Sequence, residues 1–350
     1  MTTAELAKLI GVSRVTVSKV INGAEGVSPR MREKVQKYID FYGFEPNSQA
    51  RSLVGKEEQI IGFFSAYSEA NAGAGMISSH FATEMIHLVV DEAQRRDYKT
   101  LVSITEAARD TKAIERFFSS RLIRGAVLLG YETGNEEVKR LAEKGFPLVL
   151  VNQEKDTEFD NVSVVNMDDE QKAFDAVEKL VEFGHRDLIY LGCGRSRLPA
   201  MRRQKGVNAA LQKYRGSIDS LLTLNGDFCE EKAYSQIYAV YSRHGKKPTG
   251  IFAANDIMAI GAMRALKALH YRIPEDVSII GFDDISISKY LTPGLTTMRC
   301  DFRKIASAAV DALIGLIEEK GCRQHIELPV EFMMRGTLGP VSGREAEGLF

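Results

Sequence analysis

The hydrophobic pattern of this chain changes character near residue 59. Before that point apolar residues recur at helical spacing; beyond it, short continuous apolar runs alternate with amphipathic stretches. In residues 11–22, GVSRVTVSKVIN, Val12, Val17, Val20 and Ile21 fall near the 3.6-residue repeat that gathers side chains on one buried stripe. Arg14, Val15, Ser18 and Lys19 are left on the outer face. Gly11 supplies the permissive backbone of a tight turn after a first helix at residues 4–10, and Ser13 is placed to cap the second helix. Ser28-Pro29 pairs an N-cap with a proline at the first helical position, starting a third helix that runs to about Tyr42, with Gly43 just past its end. Met31, Val35, Tyr38, Ile39 and Tyr42 form its apolar stripe, so three short helices can share one small core. Residues 47–53 (NSQARSL) read as a helix of about two turns, marginal unless something binds it.

From residue 59 onward, strands are expected at 60–66, 100–105, 125–129, 148–152, 162–166, 188–192, 220–224, 250–254 and 277–282, with helices among them at 79–96, 169–183, 203–214 and 257–269. Strands alternating with amphipathic helices indicate parallel α/β layers, and continuous apolar strands indicate sheets covered on both faces. So many units exceed one comfortable sheet, which predicts two doubly wound subdomains with a ligand cleft between them. The expected boundaries are a head at 1–46, a linker at 47–58 and a body at 59–336. Within the body, one subdomain takes about 59–162 and 295–321, the other about 163–294 and 322–336. Residues 337–350, rich in glycine and charge, are expected to be a loose tail.

Composition narrows the function class. The chain has 350 residues, 44% of them apolar, long enough for two or three domains with a large core. No run approaches the roughly 20 apolar residues that cross a bilayer, and the start, MTTAELAKLIG, has neither a basic flank nor a signal-like apolar block, so a cytoplasmic location is expected. Cys193, Cys229, Cys300 and Cys322 lack metal or disulfide-framework spacing and read as reduced structural thiols. Net charge is near zero but unevenly placed: residues 1–56 hold nine Lys or Arg against five acids, a surplus of four positive charges, and the remainder is five negative. A basic head on an acidic body points to phosphate backbone as the head's partner.

Taken together, LAKLIGVSRVTVSKVING, VSPRMREKVQKYIDFYGFEPN, ARSL, FAANDIMAIGAMRAL, IPEDVSIIGFDD and LTTMRCDF, in this order and spacing, resemble the lactose-repressor and galactose-repressor (LacI/GalR) family of bacterial transcription regulators. The resemblance implies a small all-α helix-turn-helix head on a periplasmic-binding-protein-like α/β body of two parallel-sheet subdomains. It places the second helix in the DNA major groove with Arg14, Val15 and Lys19 as readers. Arg and Lys can donate to guanine O6 and N7, and an exposed Val can pack on a thymine methyl. Ser13, Thr16, Ser18 and Asn22 suit phosphate oxygens, which set register. Residues 47–53 become a hinge helix formed on operator, with Arg51 on the DNA and Leu53 as a wedge between base steps. A homodimer on a near-palindromic operator is implied as the minimum assembly.

In the body, the residues matching the family's effector pocket are Asn152, Arg197, Arg203, Phe228, Asn255 and Asp283, with Phe302 as an apolar wall. Of these, Arg203, Asn255 and Asp283 are each expected to follow a strand or open a helix near a sheet's carboxyl edge, where α/β folds bind ligands. Carboxylate, amide and guanidinium converging on one cleft suit a sugar, a sugar phosphate or a sugar acid. Asn255 and Asp283 also suit helix or turn capping. Asn152 stands where an aspartate is common in the family, and SEANAGAGMISSHF replaces the usual Asn-Pro-Phe-Phe type wall. No catalytic residue, metal site or cofactor is expected: the histidines form no close ligand pair, no GxSxG elbow occurs, and Ser78 breaks the glycine pattern after Ala72 to Gly75. The function expected is therefore a ligand-controlled, DNA-binding repressor and no enzyme. A periplasmic-type sugar receptor and a sugar-acting enzyme are the alternatives.

Overall fold

The computed structural model describes residues 1–21, 23–44, 58–67, 80–131, 134–154, 159–194, 197–243, 245, 247–319 and 322–341, with side chains at all of these except 67, 105–111 and 137. The chain divides into two compact units, Met1–Gln59 and Ile60–Phe350.

In the first unit, helices α1 (Thr3–Ile10), α2 (Arg14–Ile21) and α3 (Pro29–Tyr42) enclose Leu6, Ala7, Ile10, Val17, Val20, Val35 and Phe44. Each helix is short enough to be marginal alone, so this shared core and the caps hold them. Thr2 and Glu5 form a reciprocal capping box at the start of α1, a signal that TxxE carried in the sequence and that the expected start at residue 4 overlooked. Gly11 ends α1 at φ 75°, where an L side chain is strained, and its N–H reaches the Ala7 carbonyl. Ser28 and Gly43 bound α3 as the sequence predicts. Tyr42, expected on the buried stripe, is 46% exposed; Phe44, just past the cap, closes the core instead. Two of the basic side chains stitch backbone here. Arg32 donates to the Ala24 carbonyl at 2.8 Å and Lys34 to the Ile10 carbonyl at 3.0 Å.

The second unit holds two six-stranded sheets. The first contains β1 (Ile60–Tyr67), β2 (Lys99–Glu106), β3 (Gly125–Leu129), β4 (Leu148–Val151), β5 (Val162–Met167) and β11 (His325–Leu328), in the order β11-β5-β4-β3-β1-β2, all parallel. The second contains β6 (Asp187–Gly192), β7 (Ser220–Asn225), β8 (Gly250–Ala253), β9 (Ser278–Asp283), β10 (Thr296–Cys300) and β12 (Val330–Met333), in the order β12-β10-β9-β8-β6-β7, with only β12 antiparallel to its neighbour. The first sheet carries α4 (His80–Gln94) and α11 (Phe302–Glu318), together with α5 (Ala107–Ser119) and α6 (Glu136–Glu143). The second carries the pair α7 (Asp169–Glu182) and α8 (Leu198–Lys213) and the pair α9 (Glu230–Tyr241) and α10 (Asp256–Ala268). Central strands β3, β4, β5, β8 and β9 are buried throughout, as sheets covered on both faces require. The edge strand β7 departs from the expected pattern and is largely exposed.

The strand pairing redraws the expected subdomain limits. β5 is hydrogen-bonded into the first sheet, so residues 163–167 do not open the second subdomain; β11 pairs with β5, and β10 lies in the second sheet. Among the described residues the chain therefore passes between the sheets three times, each time through a single residue: Asp168 between β5 and α7, Asp301 between β10 and α11, and Pro329 between β11 and β12. The expected loose tail is also corrected. Thr337 is fully buried, accepting from the Thr296 N–H at 2.8 Å and donating to the Ile279 carbonyl at 2.8 Å, while Ser278 bridges the Gly339 backbone. The chain is thus fixed to the second sheet through residue 339, and residues 342–350 lie outside the described residues. All four cysteines are free. Among the described residues, no helix is long and apolar enough to cross a membrane.

Candidate functional site

Two surfaces carry chemistry, one on each unit. On the first, α2 presents Arg14, Val15 and Lys19 to solvent, with Thr16 and Ser18 half-buried. Val15 is 64% exposed although its neighbours Val17 and Val20 are buried, an apolar side chain held outward beside two cations rather than in the core. The Ser13 hydroxyl accepts from the Thr16 N–H at 3.1 Å and lies 2.9 Å from the Thr16 hydroxyl, so the predicted cap forms. Asn22, Arg51 and Leu53, with the whole 47–53 segment, lie outside the described residues.

On the second unit, a cleft opens between the two sheets at the carboxyl ends of their strands, where α/β folds bind ligands. It gathers six of the seven residues expected there: Asn152, Arg197, Arg203, Phe228, Asn255 and Asp283. Phe302 is not among them. It is the first residue of α11, and its ring packs edge-to-face against Phe81 at 5.0 Å, so Phe81 forms the wall and Phe302 backs it. The first-sheet side is built from His80, Phe81, Gly130, Tyr131 and the ends of β1 and β4, which the sequence reading did not identify. Gly130, at φ 80°, is required there, because any Cβ would collide with the carbonyl oxygen of Ala66.

Three of the six lining residues adopt left-handed backbone: Asn152 at φ 62°, Phe228 at φ 55° and Asp283 at φ 109°. Such strain persists only where surroundings impose it, and it concentrates at ligand sites. For Asn152 the clamp is visible. Its N–H donates to the Val165 carbonyl at 3.0 Å, and the next residue, Gln153, is locked by reciprocal bonds with Asn166, N–H to Oδ1 at 3.1 Å and Nδ2 to carbonyl at 2.8 Å. The Asn152 Oδ1 is left buried with no hydrogen-bond partner among the described residues, an unsatisfied acceptor on a residue that lines the cleft.

Arg203 does not open a helix, as expected, but lies within α8, which starts five residues earlier at Leu198. Only 2% exposed, it donates from Nε to Asp169 at 2.8 Å, from Nη2 to Asp283 at 3.3 Å and from Nη1 to the Ala254 carbonyl, and its guanidinium carbon lies 3.6 Å from the Phe282 ring centroid. Burial raises the Asp169 carboxyl and pushes Asp283 up to about 7 against the pull of Arg203. Burial opposes the Arg203 charge, but the two carboxylates outweigh it and hold the guanidinium protonated. Arg203 is thus a bracket that positions Asp283 rather than a free cation. Next to it, Asp256 accepts from Ser288 at 2.6 Å, Thr297 at 2.5 Å and the Ile285 N–H at 3.0 Å, fixing the loop after β9.

Asn255 lines the cleft and also caps α10, its Oδ1 accepting from the Met258 N–H at 2.9 Å; its amide nitrogen remains to face a ligand. Across the mouth, Ser286 donates to Glu84 of α4, a hydrogen bond that ties the two sides together. Among the described residues, no group of three or more His, Cys, Asp or Glu could hold a metal ion. The lining offers hydrogen-bonding groups and apolar faces.

Both units match known proteins. The model of bacterial regulatory proteins of the lacI family matches residues 2–47, and that of a periplasmic binding protein-like domain matches residues 177–338. The probable HTH-type transcriptional repressor ExuR of Bacillus subtilis is 28% identical over 343 residues, covering 97% of this chain and 98% of its own. The HTH-type transcriptional regulator CelR of Thermobifida fusca is 27% identical over 314 residues, covering 89% and 91%. A lac repressor dimer bound to operator and an anti-inducer superposes with a TM-score of 0.83 at 25% identity, covering 96% of this chain and 98% of that one. A complex of CelR with cellobiose shares the fold at 23% identity with a TM-score of 0.71, covering 97% of this chain and all of that one.

Proposed function

We propose that the chain is a LacI-type bacterial regulatory protein, a homodimeric, sequence-specific DNA-binding repressor whose hold on its operator is set by a sugar-like ligand in the body cleft. The observation that carries the DNA half is the outward face of α2, where Arg14, Val15 and Lys19 stand exposed on a rigid three-helix core. Their chemistry fits base edges: charged donors for guanine and a methyl-bearing surface for thymine. One small head buries too little to hold a site alone, so two heads on a near-palindromic operator are needed. The lac repressor that superposes on this chain is a dimer on operator.

The ligand half rests on the cleft's donors and acceptors. Asp283 accepts, Asn152 offers a buried acceptor, Asn255 offers an amide, and Phe81, Tyr131 and Phe228 supply flat apolar faces. Vicinal hydroxyls, which both donate and accept, match that mixture. A CelR that superposes on this chain holds cellobiose. Three one-residue crossings at Asp168, Asp301 and Pro329 let the sheets rotate as bodies, and the Ser286–Glu84 bond spans the mouth. A ligand that touches both sides binds the closed arrangement better and shifts the dimer towards it. The relatives are regulators, which disfavours a sugar-acting enzyme. A free-standing sugar receptor would have no use for the exposed face of α2.

Selection from a random duplex pool tests the DNA half. The wild type is expected to enrich a near-palindrome whose affinity falls steeply with salt, and Arg14→Ala to weaken binding by roughly 1–3 kcal/mol with relaxed specificity at one base pair per half-site. Enrichment of no sequence would remove the proposal.

A further inference from the structure

We propose that the outer edge of β7 is a seam between copies of this chain, pairing antiparallel with β7 of a second copy, whatever fills the cleft. The two sheets end in four edge strands, β2 and β11 in the first and β12 and β7 in the second. Natural edges are kept from pairing by charges, prolines, bulges or a covering segment. β2 carries Lys99 and Glu106, β11 carries His325 and Glu327, and β12 carries Glu331. β7, SLLTLN, has neither charge nor proline, and it is largely exposed, with Leu222 at 40%.

The backbone of β7 sets the register of that pairing. Ser220 and Gly226 donate their N–H groups inward, to the Arg186 and Gly192 carbonyls at 3.3 and 2.9 Å. By the alternation of a strand, Leu222 and Leu224 also face β6, and Leu221, Thr223 and Asn225 turn their N–H and C=O groups outward. Among the described residues β7 pairs with β6 alone, and of these outward groups only the Asn225 carbonyl has a partner, the Gln236 side-chain amide. An antiparallel copy centred on Thr223 answers all of them. Thr223 then stands opposite Thr223, and Leu221 opposite Asn225, each as a pair that exchanges both N–H···O bonds; the Asn225 carbonyl has a second lone pair for its new donor. Between these pairs Leu222 of each copy meets Leu224 of the other at the closer, non-hydrogen-bonded spacing.

The self-complementary register selects a second copy as the occupant, since a two-fold axis at Thr223 closes both open edges in one contact. Charge agrees with it. No like charges meet along the strand, and at either end the exposed Asp219 of one copy comes to the Lys232–Asp227 ion pair of the other, where the half-exposed Lys232 can serve both carboxylates.

The test is sedimentation velocity on the full-length protein at high micromolar concentration, with backbone amide exchange followed by mass spectrometry. Leu222→Lys sets a charge where Leu224 of the other copy would pack, and Thr223→Pro removes an outward N–H while sparing the bonds to β6. Wild type is expected to sediment at twice the mass of either variant, and Leu222→Val, which keeps an uncharged apolar edge, to sediment with wild type. Amides of residues 221–225 are expected to exchange more slowly in wild type than in Leu222→Lys, while unchanged exchange in β6 and β8 shows that the variants are folded. Equal masses for wild type and both variants overturn the seam, as does a halved mass without faster exchange at 221–225.

Discussion

Removing the Asp169 carboxylate leaves Arg203 buried with one acidic partner in place of two. Asp169→Ala is expected to lower the unfolding free energy by roughly 3–5 kcal/mol, read by urea denaturation. His185 carries a separate prediction. It is buried between the Thr249 hydroxyl and the Gly339 carbonyl, both at 3.0 Å, and burial drops its pKa to about 4. A base depressed on folding contributes stability that is complete above its unfolded value near 6.5 and is lost as pH falls towards 4. The stability gap between wild type and His185→Gln should therefore narrow by roughly 3 kcal/mol across that window, and a gap that stays constant would show that the imidazole titrates freely. Much of the cleft was readable from sequence at this scale, since Asn152, Asn255 and Asp283 stand at or just past strand ends, where side chains must reach the carboxyl edge. Two roles were not. Arg203 looks like a ligand-facing cation until its two carboxylates are seen, one contributed by α7 and one by β9, and Phe302 matches a wall position while tertiary packing slides Phe81 in front of it.

At the scale of elements, the second subdomain closes its helix pairs through glycine. A Cβ at Gly206 of α8 would collide with the Glu170 carbonyl of α7, and one at Gly261 of α10 with the Glu230 carbonyl of α9. Gly206→Ala, which on an exposed helix would stabilise, is instead expected to cost about 1–3 kcal/mol through overpacking, measured as a lowered denaturation midpoint; an unchanged midpoint would mean that the helices part without cost. The alternation of strands and helices was clear in the sequence because buried parallel strands read as continuous apolar runs. Short edge strands were not, since β11 and β12 carry four residues each with polar neighbours, and the exposed β7 gives no sign that its pairing is one-sided. The subdomain limits moved for a related reason: hydrogen-bond partners, invisible in sequence, decide which sheet β5, β10 and β11 join.

At the scale of the molecule, the proposed function couples the head to the body, assigning a base-reading face to one unit and a ligand cleft to the other. If the cleft's ligand binds one arrangement of the subdomains better, operator affinity must change when it binds, and by linkage operator must change ligand affinity by the same factor. Asp283 is the residue through which that coupling is most exposed to test, because it faces the cleft, is positioned by Arg203 and lies far in sequence from the reading helix. The decisive measurement is an operator titration by fluorescence anisotropy, with and without saturating ligand, for wild type and Asp283→Asn. Ligand should shift wild-type operator affinity by about 5–150-fold, the usual range of such coupling, and the shift should vanish in Asp283→Asn while ligand-free operator binding is retained. An operator affinity indifferent to ligand in the wild type, or an equal shift in the variant, would contradict control of the head through this cleft.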